Sequence, residues 1–144
     1  MTTRKYIGGC HCGNIVFEME LADQPDRYNP RACDCDFCRM HGASYLSDPR
    51  GRLVVRVKES AELGRYRQGS GTADCLVCRT CGVLVGVACE IEGQLYATVN
   101  ARTVRAGGFG REMVVSPKSL TAEEKIRRWR EVWFSGVRIE GLKQ

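Results

Sequence analysis

Apolar and polar residues alternate along the segment Asn14 to Glu20, where Ile15, Phe17 and Met19 fall on one face of an extended chain and Glu18 and Glu20 on the other. Side chains of a strand repeat every two residues, so this segment predicts a half-buried antiparallel strand. Three more stretches rich in β-branched residues, Arg52 to Val57, Val83 to Ala88 and Gln94 to Val99, also predict strands. Glu92-Gly93-Gln94 predicts a hairpin turn between the last two. Asp48-Pro49-Arg50-Gly51 is turn chemistry, and Gly69-Ser70-Gly71 and Gly107-Gly108 mark loops. A helical pattern is clear only near the carboxyl end. Thr121-Ala122-Glu123-Glu124 is a capping-box sequence and predicts a helix over about residues 122–133. Its apolar stripe, Ile126, Trp129, Val132 and Trp133, either packs on the core or covers the mouth of a pocket. The pattern predicts a mainly β fold with a C-terminal helix. With 144 residues and no repeat, low-complexity tract or linker, the chain is expected to be a single domain over 1–144.

Cysteine changes this picture most. Seven of the nine cysteines lie in three clusters: Cys10-His11-Cys12-Gly13, Cys33-Asp34-Cys35-Asp36-Phe37-Cys38 and Cys78-Arg79-Thr80-Cys81-Gly82. The segment from Met1 to Cys10 has no apolar signal-peptide core, and no run approaches the ~18 apolar residues of a membrane span. A cytoplasmic protein without membrane partners is therefore expected, and in that reducing compartment clustered cysteines are ligands or catalysts rather than disulfides. The odd count points the same way. The formal charge of +5 suggests nucleic acid only while every thiol is counted as neutral. Seven metal-bound thiolates with two divalent ions bring it to about +2. Arg127, Arg128 and Arg130 are interleaved with acids on the predicted helix, which suits a solvated face, so no nucleic-acid partner is expected.

Structural zinc sites fill four tetrahedral positions with protein ligands. Cys78-x-x-Cys81-Gly82 has the knuckle form, in which the glycine lets the backbone turn and aim amide donors at sulfur. Cys10-x-Cys12-Gly13 ends alike, so Cys10, Cys12, Cys78 and Cys81 are expected to hold one structural zinc. Cys75-Leu76-Val77-Cys78 is a competing pair, but no glycine follows Cys75 or Cys78. Cys75 and Cys89 read instead as small buried residues. His11 lies between two ligands and is expected to point away.

Cys33, Cys35 and Cys38 supply three thiolates, the number of a catalytic zinc site with a position open to water or substrate. Cys75, Cys89 or His41 completing the tetrahedron is the alternative. Three thiolates weaken the ion as a Lewis acid toward carbonyls, so its better use is to hold an exogenous thiol deprotonated for attack on a small electrophile.

Gly8-Gly9-Cys10-His11-Cys12-Gly13, Cys33-x-Cys35-x-x-Cys38-Arg39-x-His41-Gly42-Ala43 and Cys78-x-x-Cys81-Gly82 together resemble the glutathione-dependent formaldehyde-activating enzyme family, a domain type also found in a centromere protein. The resemblance covers about Tyr6 to Thr103. It implies an antiparallel β fold of the tent-like kind, a structural zinc at Cys10, Cys12, Cys78 and Cys81, and a catalytic zinc at Cys33, Cys35 and Cys38. It further implies a carbon–sulfur lyase that joins glutathione to formaldehyde. Within that reaction His41, three residues past the last ligand, is a candidate proton donor, its alternative being a histidine that shapes the loop. Arg39 is a candidate for a glutathione carboxylate, its alternative a solvated cation. Two other classes stay open: a non-catalytic zinc module that binds a partner, and a thiol redox enzyme using Cys75 or Cys89, which requires an accessible thiol of low pKa.

Overall fold

The computed structural model describes residues 4–141. Its strands are β1 (Arg4–Gly9), β2 (Ile15–Leu21), β3 (Arg31–Cys33), β4 (Tyr45–Leu46), β5 (Arg52–Val57), β6 (Leu63–Tyr66), β7 (Asp74–Cys78), β8 (Leu84–Ile91), β9 (Gln94–Asn100), β10 (Met113–Val115) and β11 (Gly136–Glu140). Two α-helices, α1 (Asp36–His41) and α2 (Ala122–Val132), complete the regular elements beyond single 3-10 turns. The protein is mainly β and its strands form two sheets, β1-β2-β5-β11 and β10-β3-β4-β9-β8-β7-β6. Pairing is antiparallel except at two sheet edges, where β10 lies parallel to β3 and β11 parallel to β5. Both exceptions are strands that arrive late in the chain, after long connections.

Alternation decides which face goes inward. Ile15, Phe17, Met19 and Leu21 of β2, with Leu53, Val55 and Val57 of β5, form one side of the main core. Leu46, Val85, Ala97 and Val99 of the larger sheet meet them from the other side. The opposite face of that sheet is covered too. Tyr45, Cys75, Val87, Cys89 and Tyr96 form a second cluster, with Trp133 packed among them and Ile126, Trp129 and Val132 against them. Strand β8 is buried at seven of its eight positions because both its faces are covered, so it reads as a continuous apolar run. The β8–β9 hairpin closes through Glu92 and Gly93 between the paired residues Ile91 and Gln94.

Helix α2 has the predicted capping box: Glu124 N donates to Thr121 Oγ1 (3.1 Å) and Thr121 N to Glu124 Oε1 (2.8 Å). Trp129 and Trp133 stack with ring centroids 4.6 Å apart. The stripe therefore packs on the sheet and, as shown below, also walls a cavity.

A buried carboxylate fixes the approach to β3. Asp48 accepts from Ala22 N (2.9 Å), Arg50 N (2.9 Å) and Tyr28 Oη (2.6 Å). Burial and the bond to Asp48 push the Tyr28 phenol up to about 12, so it remains a donor at neutral pH. Tyr28→Phe removes one of three donors from a buried anion and is expected to cost about 2 kcal/mol in urea denaturation.

Candidate metal centres and the adjoining cavity

Cys10, Cys12, Cys78 and Cys81 come together from two turns. Cys10 and Cys12 follow β1, where Gly13 N donates to the Cys10 carbonyl (3.3 Å) and Cys10 N to the Ile15 carbonyl (2.9 Å). Cys78 ends β7, and Gly82 N closes the knuckle on the Cys78 carbonyl (2.8 Å). Gly13 and Gly82 have φ of 87° and 79°, and a Cβ at either would meet nothing within 4 Å. Backbone conformation rather than space therefore selects glycine at both turns.

The four sulfurs all lie within 4.8 Å of one another. Cys10 Sγ is 3.8 Å from Cys12 Sγ, which is 3.6 Å from Cys78 Sγ. A tetrahedron with zinc–sulfur bonds of ~2.3 Å has sulfur–sulfur edges of ~3.8 Å, whereas a disulfide requires ~2.05 Å. The Ile15 amide donates to Cys10 Sγ (3.2 Å), a bond that stabilises a thiolate ligand. The donor set and spacing fit a zinc-class ion. His11, between the two amino-terminal thiols, is exposed.

Cys33, Cys35 and Cys38 form a second group, their sulfurs also within 4.8 Å of one another. Cys33 ends β3. Cys35 is the N-cap of α1 and accepts from Cys38 N (3.5 Å), doing for this helix what serine does in others. Cys38, one turn in, points at the sheet and is buried. Hydrogen bonding to Cys38 holds the Cys33 thiol down at about 6, while the same bond, with burial, raises Cys38. One thiolate thus opposes ionisation of the next, a conflict that a cation resolves. This group also fits a soft divalent ion, with three ligands from the chain.

These three thiols line a cavity of about 370 Å³. Its floor is one face of the larger sheet, with Arg31, Tyr45, Thr98, Val87 and Cys75, and its far wall is α2, with Lys125, Arg128 and Trp129, and the residue that follows it, Trp133. The floor assembles through register: Arg31 is opposite Tyr45, Tyr45 opposite Asn100, and Thr98 opposite Val87. Residues facing one another across a ladder share a face, as do residues two apart, so Cys33 joins Arg31 there. Gln68, from the loop leading to β7, donates to Cys35 Sγ at 3.8 Å. Tyr45 Oη lies 3.1 Å from Cys38 Sγ. Burial first, then the neighbouring Cys38, raises the Tyr45 phenol well above its usual range, so it carries a proton at neutral pH. Among the described residues no carboxylate lines the cavity, while Arg31, Lys118, Lys125 and Arg128 do, Lys118 lying 3.8 Å from Asp34 Oδ2.

The structure gathers the seven clustered cysteines into the two groups their spacing suggested, but it does not bring His41 or Arg39 into this cavity. Both are exposed. Cys38 faces the cavity floor while Phe37 packs at the β6–β7 edge, 5.2 Å from the Tyr66 ring, and His41, four residues after Phe37, shares that side and packs on its ring at 4.7 Å. Cys75 lines the cavity and Cys89 does not. Both are buried and burial pushes both thiols up, Cys75 to about 12, the opposite of what a redox nucleophile requires. Tyr45, Arg31, Thr98, Lys125 and Arg128 were not singled out in the sequence as site residues. Tyr45, seven positions after Cys38, carried no local signal, and Arg128 read as part of a solvated helix face.

Among the described residues no helix is long and apolar enough to cross a membrane. Comparison with known proteins gives two findings. Residues 5–126 match the family model described as glutathione-dependent formaldehyde-activating enzyme. A crystal structure of a Rhodobacter sphaeroides protein aligns at 29% identity over 71% of this chain and 90% of that one, with a TM-score of 0.49.

Proposed function

Because this chain belongs to the glutathione-dependent formaldehyde-activating enzyme family, we propose that it joins glutathione to formaldehyde as a carbon–sulfur lyase, at the cavity lined by Cys33, Cys35 and Cys38. The observation that carries this reading is the contrast between the two groups: four thiols gathered where two turns meet, and three thiols opening on a space large enough for a small peptide. A zinc-class ion held by Cys33, Cys35 and Cys38 supplies, when bound, a position at which an incoming thiol is held deprotonated at neutral pH. The chain's own residues do the rest. The cationic, carboxylate-free lining concentrates an anionic peptide thiol. Trp129 and Trp133 exclude water from one side of the cavity.

In the reaction the glutathione sulfur bonds to the aldehyde carbon, the carbonyl electron pair moves to oxygen, and that oxygen takes a proton. Tyr45 is the donor we assign, in place of His41. It lines the cavity, it keeps its proton at neutral pH, and its Oη is at hydrogen-bond distance from the cluster. The proton lost by the glutathione thiol restores it through solvent, so the addition consumes no net acid or base.

Exchange NMR of glutathione and its hydroxymethyl adduct in formaldehyde tests the reading. The exchange rate is expected to rise linearly with zinc-loaded protein above the uncatalysed rate. Tyr45→Phe is expected to lower that acceleration roughly a hundredfold while leaving glutathione affinity within about twofold. Saturable glutathione binding with no acceleration of exchange would refute the lyase assignment.

A further inference from the structure

The cavity contains a buried cation that takes no part in the bond-making of the proposed addition. Arg31, on the floor, donates from Nη2 to Ser47 Oγ (2.8 Å) and Thr98 Oγ1 (3.2 Å). Both hydroxyls are buried, and each spends its own hydrogen on a carbonyl, Ser47 on Val132 (2.8 Å) and Thr98 on Leu46 (2.7 Å). They therefore turn lone pairs toward the guanidinium and fix it in place. A guanidinium has five N–H donors, and these bonds engage one of its three nitrogens. Among the described residues it has no carboxylate partner. Arg128 lines the same cavity from α2. Burial, and then the charge of Arg128, pull the Arg31 guanidinium down to about 10.

Two like charges facing one low-dielectric space, with no acid between them, destabilise the protein by itself. An anion placed between them removes that conflict and meets the planar donor fork of each. Arg31 and Cys33 are two residues apart on one strand and face the same way, so such an anion sits on the same floor as the reacting cluster.

We propose that Arg31 and Arg128 form a carboxylate-binding subsite beside the three-thiol cluster, and that the thiol substrate is anchored there by one of its own carboxylates. The second clause rests on the thiol-addition reading; the subsite itself does not. Ser47 and Thr98 are positioning residues for Arg31.

S-methylglutathione separates the two, since it keeps the carboxylates of glutathione and has no free thiol. Titrated calorimetrically into the zinc-loaded protein, it is expected to bind saturably and to weaken as salt is raised. Arg31→Met is expected to weaken it at least tenfold and Arg128→Gln at least threefold, while Cys35→Ser changes it less than twofold. The thermal midpoint of ligand-free Arg31→Met is expected not to fall, because an unpaired buried charge has been exchanged for an apolar side chain of similar length. The subsite is overturned by no binding to the wild type, by undiminished binding in both arginine variants, or by a midpoint that falls together with affinity. Arg31-dependent binding of glyoxylate without binding of S-methylglutathione keeps the subsite and overturns the thiol as its occupant. Failure of the lyase reading gives a different result: S-methylglutathione still binds through Arg31, yet adduct exchange is not accelerated.

Discussion

Cys81→Ser is expected to leave the chain unfolded at room temperature, with loss of near-ultraviolet circular dichroism and of one metal equivalent. The four-thiol group joins the end of β1, in the smaller sheet, to the turn between β7 and β8, in the larger one. Cys12 and Cys78, 3.6 Å apart in space, are 66 residues apart in sequence, so an ion held between them closes a long loop. Structural zinc in small domains contributes apparent free energies of ~10–16 kcal/mol, and whole domains are stable by only ~5–15 kcal/mol. A serine hydroxyl stays protonated at neutral pH and replaces a thiolate poorly as a ligand, so most of that contribution goes with one sulfur. A chelator should unfold the wild type in the same way, and zinc should refold it. A folded Cys81→Ser protein with wild-type denaturation midpoint would show that the core between the sheets suffices without this group.

How much of this was legible in the sequence depends on the range of the physics involved. Cysteine ligation and helix capping are local: the glycines after Cys12 and Cys81 marked turns that the structure builds with positive φ, and Thr121 and Glu124 marked the start of α2. Strands β2, β5, β8 and β9 have six to eight residues and enough alternating or β-branched positions to be read, whereas β1, β7 and β11, of five or six residues, went unread. Strands β3 and β4 have three and two residues, too few for a period, and α1 has only six, half of them spent on the cysteine cluster and its neighbours. The cavity was illegible for a further reason. Its floor takes Arg31 from β3, Tyr45 from β4 and Thr98 from β9, residues adjacent only once antiparallel register sets them side by side. Choosing His41 rewarded nearness along the chain, whereas the helical period places it with Phe37 at the β6–β7 edge, away from the cavity. The charge of Arg128 looked solvated because the sequence does not show that α2 lies over a second buried face of the sheet.

Cys35→Ser should act in the opposite way to Cys81→Ser, keeping the fold and losing the thiol. Cys33 to Cys38 spans a single strand end and one turn of α1, so an ion there closes almost no loop and constrains the unfolded chain little. Serine is itself a preferred N-cap, and its hydroxyl can accept from Cys38 N as the sulfur does, so α1 should persist. Two thiolates and a hydroxyl hold a soft ion much more weakly than three thiolates, and the position offered to a substrate thiol is lost with it. Calorimetric titration of glutathione is then expected to show saturable binding to the zinc-loaded wild type and at least a hundredfold weaker binding to Cys35→Ser, with a denaturation midpoint close to wild type. Retained glutathione affinity would move the thiol away from the cluster and leave glutathione held by the arginine subsite alone. Unfolding as complete as that of Cys81→Ser would make the three-thiol group structural as well, and the cavity beside it would then have to work without a metal position open to substrate.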